Sequence, residues 1–222
     1  AMTKKRLKWI VSGTAALLLF LSVGTCAFKA FLTPVPNGYE SLMNVEMPSE
    51  VSVTTSFGTL VSTSQTAAIT FTDTHVIMNG RDSVRFEDTP LNCVLVPVGK
   101  SASITLYDQT KITMCEESRL GIPSTFAKDK RMVFFCGEAT FNVNHDKAHP
   151  FLVDADIVKT HVLGTEFCMN THPEDDNFAS VALYKGKVEV EFPGIETSVS
   201  LKPSEAVILK DQSFMKMNEI PT

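Results

Sequence analysis

Residues 64–83 read SQTAAITFTDTHVIMNGRDS, and residues 99–118 read GKSASITLYDQTKITMCEES. The two align at an offset of about 35 residues once Gln109 is allowed as an extra residue after the aspartate. In each copy three alternating apolar positions lead to an Asp, Asp73 or Asp108, and a second strand-like run follows. Successive side chains of a strand point to opposite faces, so this alternation is the mark of a half-buried strand. Each copy therefore predicts strand, turn, strand. Asp73 and Asp108 fall in the turns, where a short carboxylate accepts backbone N–H bonds. A related shape, TSVSLKPSEAVILKDQ, recurs at residues 197–212.

The same texture extends in both directions. From Val51 onward the chain is a series of short β-branched and alternating runs, among them VSVTTSF, CVLVPV, RMVFFC, ATFNVN, ASVALYK and KVEVEF, broken by Gly, Pro, Asn and Asp. Spacings near ten residues predict an all-β fold, a solenoid-like or sandwich-like stack of short antiparallel strands in which each unit buries a face against the next. No segment of this region offers a helical stripe.

The N-terminal part differs. TKKRLK precedes WIVSGTAALLLFLSVGTCAF, residues 9–28, a run with no charge. Twenty residues at about 1.5 Å each span about 30 Å, the thickness of a hydrocarbon core, and predict one transmembrane helix. Lys4, Lys5, Arg6 and Lys8 lie before the run and only Lys29 follows closely, which puts residues 1–8 in the cytoplasm as a short stub and the rest outside. Trp9 suits the interface. Two rival readings of the same run are a cleaved signal peptide, for which SVGTCAF lacks a small-x-small site, and a lipoprotein signal acylated on Cys26, for which Thr25 is a poor neighbour. Residues 29–50, with three prolines and an Asn-Gly, read as a spacer, and residues 51–222 as the β domain.

Beyond residue 29 the chain holds 15 basic and 25 acidic side chains, a net charge of −10, which disfavours nucleic acid and anionic lipid. The stretch HVLGTEFCMNTH, residues 161–172, gathers His161, Cys168 and His172, with His145 and His149 upstream. His145 and His149 flank a predicted turn, and nothing in the spacing forces convergence of four metal ligands. Cys93, Cys115, Cys136 and Cys168 permit three full pairings in an oxidising compartment. Asp154/Asp156 and Glu174/Asp175/Asp176 lie at predicted turns, and no G-x-S-x-G elbow occurs. The expectation is a protein that is not an enzyme, with no catalytic, cofactor-binding or metal-ligating residue and no cofactor.

Seven motifs in order carry a family resemblance: Gly99 with Lys100 before a strand, Asp108 in a turn, Gly137 with Glu138, Pro150 with Phe151, Gly164 with Thr165 and Phe167, Gly186 with Val188, and Pro203 with Glu205. Over about residues 60–210 the chain resembles the periplasmic domain of FecR-like anti-sigma regulators. Gln109 stands where the family's turn glycine is usual, Lys185 where an acid is usual, and Ser204 where a glycine is usual. The resemblance implies an inner-membrane, single-pass signal transducer with a periplasmic C-terminal domain. Its partners would be the signalling domain of a TonB-dependent outer-membrane transporter, an extracytoplasmic-function sigma factor held by a cytoplasmic segment absent from this chain, and a site-specific membrane protease. The alternative is a stand-alone membrane-anchored envelope-binding or scaffold protein with no sigma-factor partner. In the stretch at 161–172 the resemblance assigns weight to Gly164, Thr165 and Phe167, not to the histidines and the thiol.

Overall fold

A computed structural model describes residues 38–55, 58–85, 91–171, 178–211 and 213–220. The stub, the transmembrane helix at 9–28 and Cys26 lie outside the described residues, as do His172 and the acids at 174–176. Among the described residues no helix is long and apolar enough to cross a membrane.

After a short helix α1 (Gly38–Met43), the chain moves back and forth between two sheets. Strands β1 (Val51–Thr55) and β2 (Gly58–Thr63) open the first sheet. Strands β3 (Ala67–Phe71), β4 (His75–Met78) and β5 (Asp82–Arg85) build the second. Strand β6 (Asn92–Val96) returns to the first, β7 (Ala102–Thr105) and β8 (Lys111–Met114) to the second, and β9 (Ser118–Ile122) to the first. Strand β10 (Arg131–Asn142) then belongs to both: residues 134–136 pair with β9 in the first sheet, and residues 139–142 with β8 in the second. Beyond it, β11 (Phe151–Asp154) and β12 (Lys159–Val162) extend the first sheet, and β13 (Glu166–Thr171) and β14 (Ala179–Lys185) the second. Hairpins β15 (Val188–Glu191) with β16 (Ser198–Leu201), and β17 (Ala206–Lys210) with β18 (Ser213–Met217), complete the two layers.

The product is a two-layer β-sandwich hinged on one shared strand. Alternating strands such as β3 turn one face inward, burying Ala67, Ile69 and Phe71, and a single apolar core receives residues from both sheets. Aromatic rings fill its middle: Phe141 stacks on Phe167 with centroids 5.0 Å apart, and Phe135 meets Phe141 edge-on at 5.3 Å.

Most neighbouring strands are antiparallel, as expected, but β3–β7 and β10–β11 are parallel. In the first of these Ala67 faces Ala102 and Ile69 faces Ile104, so the offset in register equals the 35-residue sequence offset. The repeated hairpins lie side by side through their leading strands, and equivalent residues become direct neighbours. Asp108 accepts the Thr110 N–H at 3.0 Å, as its turn position predicts. In the first copy the neighbouring Thr72 fills that role instead, its hydroxyl accepting the His75 N–H at 2.9 Å.

The compact unit also begins earlier than Val51. Residues 38–50, within the predicted spacer, are ordered on the outer face of the first sheet, where Leu42 of α1 is fully buried. This explains β6, which is buried along its whole length: Val94 and Val96 face the core, while Cys93 and Leu95 lie under α1. A six-residue helix spans fewer than two turns, too few for a periodic stripe to declare itself in sequence.

Gln109 and Ser204, at positions where the family resemblance expects glycine, have φ of 68° and 72°. A side chain there is strained by its Cβ. Gln109→Gly and Ser204→Gly are each expected to stabilise the domain by about 0.5–1 kcal/mol, the relief exceeding glycine's larger unfolded-state entropy. Urea midpoints at unchanged slope would check this, and a loss of stability at both sites would contradict it.

Candidate functional site

Residues 161–165 form the passage from the first sheet to the second. Strand β12 ends at Val162, and Leu163, Gly164 and Thr165 carry the chain across to β13. Three segments are bound together at this crossing. The Asp146 N–H donates to the Leu163 carbonyl at 2.8 Å and the Val143 N–H to the Thr165 carbonyl at 2.9 Å. The Thr165 hydroxyl, buried, donates to the Lys187 carbonyl at 2.9 Å.

Gly164 is required here for closeness. A Cβ on it would lie 2.6 Å from the Cα of His145, in backbone that cannot yield. Gly186 contributes a φ of 96°, and a Cβ on it would sit 2.9 Å from the Gly164 carbonyl oxygen. Two glycines thus let three backbones meet, and Phe167, fully buried, anchors the far side of the crossing in the core.

Beside the crossing lies a pocket of about 480 Å³ whose wall includes His145, His161, Leu163, Thr165, Lys187 and Glu189. Leu163 is 41% exposed, a large apolar side chain at the rim. The His161 Nε2 lies 3.3 Å from the Glu191 carboxylate, and Glu189 accepts the Ser198 hydroxyl at 2.9 Å. The wall is mainly apolar, with an imidazole pair, an ammonium and a carboxylate, which is the make-up of a binding surface.

The histidines and thiols of the sequence are dispersed by the fold. His161 is on β12 of the first sheet, whereas Cys168 is on β13 of the second. His149 pairs with Asp146 at 2.7 Å. Among the described residues no group of three or more His, Cys, Asp or Glu side chains converges as a metal site.

The four thiols at 93, 115, 136 and 168 are free. Cys115, beside β8, and Cys168, on β13, lie on opposite sides of β10, and Cys93 and Cys136 on opposite sides of β9. Two strand spacings, about 9–10 Å, exceed the reach of a disulfide. Burial pushes the Cys93 thiol up to about 11 against the opposing pull of Arg119, and burial also raises Cys136 and Cys168. These thiols stay protonated at neutral pH, the unreactive form.

A second polar centre was invisible in the sequence. Arg131, 4% exposed at the start of β10, holds the Asp108 carboxylate at 2.7 Å, and its Nη1 and Nε donate to the carbonyls of Asn144 and His149 at 3.0 and 2.8 Å. Its guanidinium also lies 5.3 Å from the centre of the Phe151 ring. The turn aspartate of the second repeat is thereby tied to the loop that carries His145. A separation of 23 residues gives no local signal of such a pair, although an arginine directly before an apolar run was the one available hint.

Residues 94–189, from β6 through the pocket wall, match the family model described as FecR protein. Two crystal structures of candidate anti-sigma factors from Parabacteroides distasonis are similar to the chain. One is 33% identical with a TM-score of 0.55, covering 58% of this chain and 60% of that one. The other is 32% identical with a TM-score of 0.54, covering 57% and 59%. The chain thus spans about 60% of the length of these solved relatives. No curated protein sequence matches it.

Proposed function

We propose that this chain, with its FecR domain at residues 94–189, is the membrane-anchored periplasmic module of an anti-sigma regulator and works by protein–protein contact. The observation that carries the reading is the FecR match over the crossing at 161–165, joined by the likeness to candidate anti-sigma factors at 33% and 32% identity. The uncharged run at 9–28, flanked by basic residues on one side, supports an inner-membrane anchor with the β domain outside. The acidic balance supports a protein partner over nucleic acid.

In this reading the signalling domain of a TonB-dependent outer-membrane transporter binds the sandwich, and the effect passes to an extracytoplasmic-function sigma factor through a cytoplasmic segment and a membrane protease. Among the described residues β2 and β5 are edge strands, paired on one side only. Such edges accept an added strand from a partner. Strand β16 is less available, because Lys216 donates to its Ser200 carbonyl at 2.9 Å.

The test has two arms. The full chain is used to capture transporter signalling domains, and sigma-dependent transcription is measured in cells with and without its gene. Capture together with altered transcription is expected. Capture with unchanged transcription would point to a stand-alone envelope-binding protein, and failure of both would sink the regulator reading.

A further inference from the structure

We infer that α1 and the residues following it are a releasable strap on the outer face of the first sheet, able to lift without unfolding the sandwich. The apolar residues that hold it are separate from the main core. Leu42 packs on Cys93 and Leu95, with Val45, Met47, Leu91 and Phe134 around them, and none of these belongs to the core shared by the two sheets. Loss of the contact therefore removes no member of that core.

The strap is nevertheless specifically fitted. A Cβ on Gly38 would run into the ring of Phe134, so the helix start sits as close to β10 as a glycine permits. The Arg119 guanidinium, from β9, donates to the Val45 carbonyl and holds the chain just beyond the helix. Tyr39 and Cys136 interact electrostatically, each contributing to the other's titration, and the Cys136 thiol donates to the Thr171 carbonyl at 3.6 Å. Cys136 adjoins Gly137, where β10 leaves the first sheet for the second, and Thr171 is on β13 of the second sheet. One end of the strap thus touches the strand that joins the layers, and its other end runs directly into β1.

This arrangement makes the strap a two-state element. Docked, it seals Cys93, which is 4% exposed. Lifted, it uncovers a groove of Leu91, Cys93, Leu95 and Phe134 and frees residues 38–50. A partner that distorts β9 or β10 would shift the balance between the two states. That use rests on the proposed regulatory function, whereas the lifting itself does not.

The experiment is thiol labelling of the full chain in sub-denaturing urea without any partner, read at each cysteine by peptide mass spectrometry. Cys93 reports the strap, and hydrogen exchange of β13 and β14 amides reports the sandwich. The expected result is that Cys93 is labelled at least tenfold faster than global opening allows, with little dependence on urea. Gly38→Ala is expected to raise that rate about tenfold further, with β13 and β14 exchange unchanged. Tyr39→Phe, a milder change, is expected to raise it two- to fivefold. Cys93 labelling that follows the urea dependence and rate of β13 exchange would overturn the proposal, as would either variant loosening both regions equally. Failure to find a sigma factor or transporter partner would leave these rates untouched, so the two readings fail separately.

Discussion

Gly137→Ala is expected to destabilise the domain by about 2–5 kcal/mol, a large share of the roughly 5–15 kcal/mol that holds an ordinary domain together. Two costs coincide there. Gly137 has a φ of 116°, where a side chain costs about 1–2 kcal/mol. A Cβ would also lie 2.6 Å from the Ser118 Cα and 2.7 Å from its Cβ, and overpacking of this kind typically costs about 1–3 kcal/mol. Neither neighbour can withdraw easily: the Ser118 hydroxyl accepts the Glu138 N–H at 3.0 Å and lies 3.1 Å from the Glu138 and Glu116 carbonyls. Gly194→Ala is the control. Gly194 has a φ of 88° but nothing within 4 Å of an added Cβ, so it carries the conformational cost alone, about 1–2 kcal/mol. Urea unfolding of both variants separates the terms. Equal losses would show that the contact with Ser118 contributes nothing.

Gly137 also marks the limit of what the sequence reveals. It stands out as the glycine of one motif among seven, but its work, letting one strand serve two sheets, depends on neighbours 15–35 residues away. The strands themselves are legible because alternation is local: HVIM, KITM and VEVE each declare a buried face in four residues. The pairing of the two repeats is half legible, since equal hairpins invite adjacency but do not state whether their leading strands run parallel. The candidate site follows the same division. Gly164, Thr165 and Phe167 could be singled out as the weight-bearing part of 161–172, and the crossing shows why, through His145, Lys187 and the core. Arg131 with Asp108 and Arg119 with Val45 could not, because 23 and 74 residues of chain separate partners that only the sandwich brings together.

Asp108→Ala is expected to cost about 3–5 kcal/mol, because it strands a guanidinium that is almost fully buried. The carboxylate does more than neutralise Arg131 at 2.7 Å: it also accepts the Thr110 N–H at 3.0 Å and hydroxyl at 2.8 Å, so the turn of the second repeat loosens with it. Arg131→Met is expected to cost less, about 2–4 kcal/mol, since the remaining Asp108 is closer to solvent. The two losses should not add. In the double variant the stranded charge is gone and methionine packs against Phe151, so its cost is expected to fall at least about 1 kcal/mol short of the sum. Strict additivity in urea unfolding would mean that the pair contributes no coupling. Hydrogen exchange then decides whether the pair also supports the pocket. Arg131 holds the Asn144 and His149 carbonyls, and the loop between them places His145 beneath Gly164, with the Asp146 N–H bonded to Leu163. Asp108→Ala is therefore expected to raise exchange at Val143 and Asp146 beyond any rise at Leu209 in β17, which lies away from this loop. A uniform rise at all three amides would make the pair a stabiliser of the sandwich alone. A selective rise would make it the support on which the crossing at residues 163–165 rests.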